Sequence, residues 1–276
     1  HHMGHVTPTL PENYPALRDE LLSRYETLPS QLKIIAQHLI DHPNEAAFMT
    51  IAALSEATGV QPSAFIRFSK AIGFKGFSDI QTILRSNLSQ RRETYAERVA
   101  RSAEDADALP PLTRFTQLAN MSINAVANDI TDEQVAKAVD LFRNARLLHV
   151  VGHRRSWPVA AYFAYIAAGF GAETHLFSPA GAMVETNVSL IKSQDVMLAI
   201  SFPEYSSATR SFVDQAKREN VPIVAITNSR VAPVARAASV VFEVDQETTG
   251  GFRSAAGAMA LAQILAVSYG EAVGGL

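Results

Sequence analysis

Residues 61–79 constrain the fold of this chain more than any other stretch. Pro62 stands where a first-turn proline is tolerated, behind Gln61 as a cap. Phe65, Phe68 and Ile72 follow at i, i+3, i+7, one apolar stripe on a helix. Arg67 and Lys70 project away from that stripe. Gly73 and Gly76 then bracket Phe74 and Phe77, a helix stop that folds aromatic side chains back onto a small domain. The segment just upstream reads as a companion helix. Thr50 caps it, Ile51, Ala52, Ala53, Leu54 and Ala57 give it an apolar face, and Gly59 suits a left-handed end. Two short helices joined by a tight turn, with basic residues on the second, form the unit that lays a helix in the DNA major groove.

The charge is distributed to match. The chain carries a net −3 over 276 residues. Residues 61–92 hold Arg67, Lys70, Lys75, Arg85, Arg91 and Arg92 against Asp79 alone, a local +5 that leaves −8 for the remainder. A basic segment on an acidic chain is what a nucleic-acid-reading module attached to another domain carries. There is no cysteine, which removes disulfides, thiolate metal sites and cysteine nucleophiles and fits a cytoplasmic location. Residues 1–5 resemble an expression-tag remnant, and no secretory leader pattern is visible. The longest apolar runs, Val159–Phe170 and Ala255–Ser268, fall short of the roughly 18 residues a membrane span needs and read as buried helices.

The remaining organisation follows from periodicity and punctuation. Pro8, Pro11, Pro15 and Pro29 mark a loose start with one short helix around Ala16–Tyr25. Ser30–Asp41 is helical, stopped by Pro43. A polar helix runs from about Ser78 to Val99. Ser102–Pro111 is an acidic linker closed by Pro110 and Pro111. A helix over Thr113–Asn128 leads onward. From Thr131, a cap followed by acids, helices alternate with apolar runs. The strands are expected at Leu147–Val151, Thr174–Phe177, Val196–Ser201, Val221–Thr227 and Val240–Val244. The helices are expected to about Asn144 and at Trp157–Ala168, Ser207–Asn220, Val234–Ala238 and Ala255–Ser268. That alternation predicts a parallel sheet between helical layers. The expected fold is an α N-terminal helix-turn-helix domain followed by an α/β three-layer sandwich with a parallel sheet. The expected divisions are 1–29 as remnant and flexible N-terminus, 30–105 as the helix-turn-helix domain, 106–130 as linker and connecting helix, and 131–276 as the sandwich. No repeat or low-complexity tract is present.

The run Ile66-Arg67-Phe68, then Ile72-Gly73-Phe74, Gly76-Phe77 and Asp79, resembles the N-terminal signature of the RpiR/MurR family of bacterial transcriptional regulators. The resemblance spans roughly residues 30–270. It implies a DNA-binding domain joined to a sugar-isomerase (SIS) domain that senses phosphosugars. The expected DNA contacts are Gln61, Ser63, Arg67, Lys70 and Lys75. Ala64 stands where family members often carry Thr, so a hydroxyl–phosphate contact is either missing here or supplied by Ser63.

Two loops follow strand C-termini, where open α/β sheets bind ligands. Gly152-His153-Arg154-Arg155-Ser156 is similar to the family loop Gly-x-Gly-x-Ser, with Arg154 in place of the middle glycine. Ser201 to Thr209 is similar to Ser-x-Ser-Gly-x-Thr, with Ser201 matched, Ser206 standing for Thr, and Pro203 and Glu204 replacing Ser-Gly. Helix N-terminal amides with clustered hydroxyls make an anion site. The ligand-binding set is Gly152, Arg154, Arg155, Ser156, Ser201, Ser206, Ser207, Thr209 and Glu247. Arg154 and Arg155 either bond the anion or form surface or dimer salt bridges. His149, in a strand, and His153 read as structural. Glu243 and Glu247 lie where a SIS isomerase can place a base, and in a regulator they would meet a sugar hydroxyl.

The expected function is a ligand-responsive transcription factor acting as a homodimer or homotetramer on double-stranded operator DNA, with a phosphosugar or similar anion as effector. No catalytic activity, cofactor, metal or membrane partner is expected. The alternatives are a phosphosugar isomerase with an N-terminal extension and a SIS-type binding protein without DNA activity.

Overall fold

The computed structural model describes residues 10–89, 109–177, 189–203, 205–244, 248–249 and 252–274. The chain divides into two units, residues 1–94 and 95–276.

The described part of the first unit is helical: α1 (Tyr14–Arg24), α2 (Ser30–Asp41), the short α3 (Pro43–Ala46), α4 (Ile51–Thr58), α5 (Pro62–Ala71) and α6 (Phe77–Ser89). Its core comes from the predicted stripes. Phe65, Phe68 and Ile72 on and after α5 are buried together with Ile35 and Leu39 of α2, Leu54 of α4 and Ile80 of α6. The helix-turn-helix pair forms for the reasons its sequence states. The Thr50 hydroxyl accepts the Ala53 amide at 3.1 Å, and Gly59 ends α4 at φ +70°. Gln61 occupies the cap position of α5 without a side-chain hydrogen bond, and Pro62 begins the helix. After α5, Gly73 turns at φ +94°, the Phe74 amide donates back to Ser69 O at 2.8 Å, and the Phe65 and Phe77 rings meet edge to face at 5.2 Å.

One expectation changes here. Residues 1–29 are not all peripheral: Leu17 and Leu21 of α1 are fully buried, so this unit begins upstream of residue 30. Arg85 is exposed on α6, and its Nε donates to Ala47 O at 2.8 Å. Arg91 and Arg92 lie outside the described residues, as does the expected helix beyond residue 89.

The second unit opens with α7 (Pro111–Asp129) and α8 (Asp132–Arg143). Thr131 and Gln134 form a reciprocal capping box at the start of α8. A five-stranded parallel sheet follows, built from β1 (Leu148–Gly152), β2 (Thr174–Leu176), β3 (Val196–Ile200), β4 (Ile223–Thr227) and β5 (Val240–Glu243), in the order β2-β1-β3-β4-β5. Among the described residues, the helices between and after the strands are α9 (Trp157–Gly169), α10 (Ser207–Arg218) and α11 (Ala256–Gly274).

Both sheet faces are covered, so the strands carry apolar residues at successive positions. Val150, Leu198, Ile200, Val224 and Phe242 face a core shared with α7, α8, α9 and α11. Val151, Met197, Ala199 and Ala225 face Phe212, Val213 and Ala216 of α10. The chain goes from β1 through α9 to β2 on one side, then returns past β1 to β3 on the other. The direction of winding therefore reverses between β1 and β3, the point where ligands bind in such sheets.

Helix α7, expected as a connector, contributes Leu118, Ser122 and Val126 to the second unit's buried set. Ser122 Oγ accepts the Gly257 amide of α11 at 3.0 Å, a close helix approach that only a glycine permits. α11 is 19 residues with mean hydropathy 1.3, longer than expected and long enough to cross a membrane by that measure. Its packing says otherwise: Leu261, Ala262, Leu265 and Ala266 are fully buried in the sandwich core. The expected helix at Val234–Ala238 is a chain of turns held by i→i+3 bonds, Ala235 to Ala232 and Ala238 to Ala235. A small antiparallel pairing of β6 (Thr248–Thr249) with β7 (Phe252–Arg253) was not expected.

Candidate ligand site and nucleic-acid interface

The C-terminal ends of β1 and β3 carry the two loops singled out by sequence. Gly152 ends β1 in a tight place: a Cβ there would sit 2.9 Å from Ser156 O and 3.1 Å from the Ala160 methyl. The loop therefore curls directly over the start of α9. Arg154 adopts φ +55°, the left-handed conformation that a glycine takes freely. An arginine thus makes a left-handed turn at the middle-glycine position of the Gly-x-Gly-x-Ser pattern, and it is exposed. Ser156 is buried at the N-cap of α9.

The second loop begins at Ser201, buried at the end of β3, whose amide donates to Ile226 O at 3.0 Å. Ser206 is the N-cap of α10 in extended backbone and makes no side-chain capping bond. Ser207 is exposed in the first helical position. The amides that open α10 lack intrahelical acceptors and carry the positive end of the helix dipole.

Two bonds lock these loops together. His153 Nδ1 lies 2.7 Å from Thr209 Oγ1, and Arg155 donates to Pro203 O at 2.9 Å. The His153 ring also stacks on Phe212 of α10, with centroids 6.1 Å apart. Thr209 and Arg155, both expected to face the anion, thus each have a partner across the loop junction. Burial, then the neighbouring Arg154 charge, hold the His153 pKa below the usual imidazole value. Neutral His153 suits a fixed hydrogen bond to a hydroxyl.

The end of β4 adds polar groups that sequence reasoning passed over. Thr227 is fully buried, and Tyr205 donates from its hydroxyl to Asn228 Oδ1 at 2.9 Å, joining the β3 and β4 loops. Arg230 pairs with Glu243 at 2.7 Å, so this carboxylate is engaged by a cation. The signal was present: Asn228 follows an apolar strand just as Ser201 does. Glu204 and Glu247 lie outside the described residues.

His149 belongs to a different place. It is buried in β1 with Nε2 2.8 Å from Asp195 Oδ2, and Asp195 also meets Arg146 at 2.8 Å and the Lys192 amide at 2.8 Å. Burial lowers the His149 pKa against the opposing pull of Asp195. These groups sit before or early in their strands, away from the loops after β1 and β3, and fit the structural role expected for His149. Among the described residues no group of three His, Asp or Glu is placed to hold a metal ion.

In the first unit, Gln61, Ser63, Arg67, Lys70 and Lys75 are all exposed. Ser63, Arg67 and Lys70 share the outer face of α5, opposite the buried Phe65 and Phe68. Arg67 donates to Gln31 Oε1 of α2 at 3.1 Å, which fixes the guanidinium at the edge of that face. Lys75 lies past the helix end, in the turn before α6. Asp79, the lone acid, points its carboxylate at the Gly76 amide at 3.3 Å, so its charge caps α6.

Comparison with known proteins identifies the two domains that carry these sites. Residues 16–91 match the helix-turn-helix domain of the rpiR family, and residues 141–268 match the SIS domain. The HTH-type transcriptional regulator RpiR of Escherichia coli is 23% identical over 207 residues, covering 75% of this chain and 69% of the relative. HexR of Pseudomonas aeruginosa is 25% identical over 232 residues, covering 83% and 78%. Among solved structures, the sugar isomerase domain of an RpiR transcription factor from Sphaerobacter thermophilus superposes with a TM-score of 0.53 at 24% identity, covering 60% of this chain and 98% of that one. Vibrio vulnificus NanR, solved with ManNAc-6P, gives 0.52 at 21% identity, covering 94% and 93%. At these identities the structural likeness shows the shared fold.

Proposed function

The chain belongs to the family that joins an rpiR-type helix-turn-helix domain to a SIS domain, and from that premise we propose that this transcriptional regulator binds its operator through α5 and is controlled by a sugar phosphate held between β1 and β3. The observation that carries the effector reading is the coupling of the two loops at the switch point of the sheet. Buried Ser156 and Ser201 and half-exposed Ser206 border helix N-termini there, and His153–Thr209 and Arg155–Pro203 bonds hold the loops in register. Amides and hydroxyls so arranged suit a phosphate without a metal. The exposed Arg154 adds a cation beside it. NanR bound to ManNAc-6P supports the same class of ligand for this chain.

Control follows from linkage. An effector changes operator affinity only by binding one arrangement of the protein better than another, and DNA must prefer one of them. A palindromic operator requires at least a two-fold dimer. Exposed Tyr165 of α9 and Ile264 of α11, on helices that pack together in the second unit, offer apolar surface for that association. A monomer by light scattering at micromolar concentration would contradict it.

The effector reading is tested by a thermal-shift screen of sugar phosphates against the full chain. A ligand at a hundred times its dissociation constant adds about 2.7 kcal/mol of apparent stability. Stabilisation by sugar phosphates, and not by the parent sugars, is the expected result. No response to any phosphorylated sugar counts against the assignment.

A further inference from the structure

The face that α5 turns outward carries one large aliphatic side chain. Ser63, Arg67 and Lys70 are exposed there, and among them stands Ile66, 50% exposed. Ile66 is three residues beyond Ser63 and four before Lys70, so the three form one strip along the helix. The helix does not need this side chain for its own packing. Phe65 and Phe68 on the opposite face are 1% and 0% exposed and already anchor it in the core.

On a surface that enters the major groove, an exposed aliphatic side chain has one chemical counterpart. Each base pair presents donors and acceptors along its groove edge, and only thymine adds a methyl group, at C5. Serine, arginine and lysine on the same strip supply hydrogen bonds and charge, which serve phosphates and polar base edges. An isoleucine contributes nothing to either, but it loses water favourably against a methyl.

We infer that Ile66 is a specificity-determining residue that reads a thymine C5-methyl group in the operator. The inference rests on the proposed docking of α5 in the major groove. It divides the work on that face: Lys70 and the Gln31-braced Arg67 hold the duplex, and Ile66 selects a T·A pair in each half-site.

The test is a double-mutant cycle across the interface. A duplex is first selected from a randomised pool by the full chain. Each thymine is then replaced in turn by deoxyuridine, which removes only the methyl. Dissociation constants are measured for the unaltered chain and for Ile66→Ala, an exposed position whose truncation leaves the core intact. One thymine per half-site is expected at which the replacement weakens the unaltered chain about fourfold, the worth of one buried carbon. The same replacement should leave Ile66→Ala unaffected. No thymine with this behaviour, or an equal loss in both proteins, overturns the inference. Arg67→Ala and Lys70→Ala separate the two levels. If both leave binding unchanged, the docking of α5 itself fails. If they weaken binding while the Ile66 cycle shows no coupling, only the methyl contact fails.

Discussion

His153 Nδ1 and Thr209 Oγ1 stand 2.7 Å apart, and this contact fastens the loop after β1 to the first turn of α10. The two residues are 56 positions apart in the chain. Their bond sets the spacing between the helix N-termini that flank the proposed anion site.

Removing the hydroxyl while keeping the shape tests that role. Thr209→Val leaves a half-buried imidazole nitrogen without its partner. The cost should be about 1–3 kcal/mol of unfolding free energy, measured by urea denaturation. Effector affinity should fall in parallel, because the loops lose their register. A variant with unchanged stability and unchanged effector binding would remove the His153–Thr209 bond from the account.

Acid should weaken the fold well before carboxylates titrate. His38, His149, His153 and His175 all have pKa values lowered from 6.5, with burial the first cause in each. The unfolded chain takes up these protons near pH 6.5, whereas the folded chain resists them until lower pH. Stability is therefore full above pH 6.5 and declines as pH falls through 6.5 toward the folded values. Melting curves at pH 7.5 and 5.5 should show a lower transition at 5.5. A transition that rises or stays constant would contradict the neutral state of buried His149 and of half-buried His38, His153 and His175.

Two glycines in α11 separate a rigid contact from a soft one. A Cβ at Gly257 would lie 2.5 Å from the Ser122 backbone oxygen, across the crossing with α7. Gly257→Ala should cost about 1–3 kcal/mol in denaturation, since two helix backbones must part. A Cβ at Gly270 would meet Phe170 Cγ at 2.5 Å, so relief requires the whole exposed side chain to swing outward rather than two backbones to part. Gly270→Ala should cost clearly less. The reverse order would show that the α7–α11 crossing is not tightly specified.

Much of this architecture is legible in the sequence because it is written in local chemistry. Thr50 with Ala53, Gly59 at positive φ, and Thr131 with Gln134 are short-range devices, and each marks the helix end that it forms. Uninterrupted apolar runs likewise mark the buried strands. What sequence reasoning missed depends on partners far apart. Tyr205 finds Asn228, Arg85 reaches the Ala47 carbonyl, and Asp195 gathers Arg146 and His149 from across a strand pair. The Val234–Ala238 segment misled because its apolar content suits a helix. The chain there makes only three-residue turns around Pro233, which has no amide to donate. In the proposed anion site, hydroxyl residues were visible by motif, but the use of Arg155 and Thr209 as ties between loops was not.

On the DNA side, Arg67→Ala should weaken binding to a selected operator by about 1–3 kcal/mol if the guanidinium reads a base. If it holds a phosphate, the loss should be uniform across sequences and the salt dependence shallower by about one ion. Fluorescence anisotropy at two salt concentrations distinguishes these outcomes. The fold should be little affected, since the guanidinium touches only Gln31 on the surface. Unchanged affinity would deny α5 its place in the groove.

The most direct test of the whole account uses Ser206. This residue is the N-cap of α10 and makes no capping bond, so Ser206→Asp gives the helix a better cap and preserves the fold. The same change puts a fixed negative charge at the proposed phosphate site, where repulsion between like charges at short range should expel the ligand. Operator binding is measured by anisotropy for the unaltered chain and the variant, with and without a sugar phosphate identified by thermal shift. The account predicts that both proteins bind operator, that the sugar phosphate changes the affinity of the unaltered chain, and that the variant no longer responds. A Ser206→Asp protein that answers the effector as the unaltered chain does would contradict the placement of the sensor between β1 and β3.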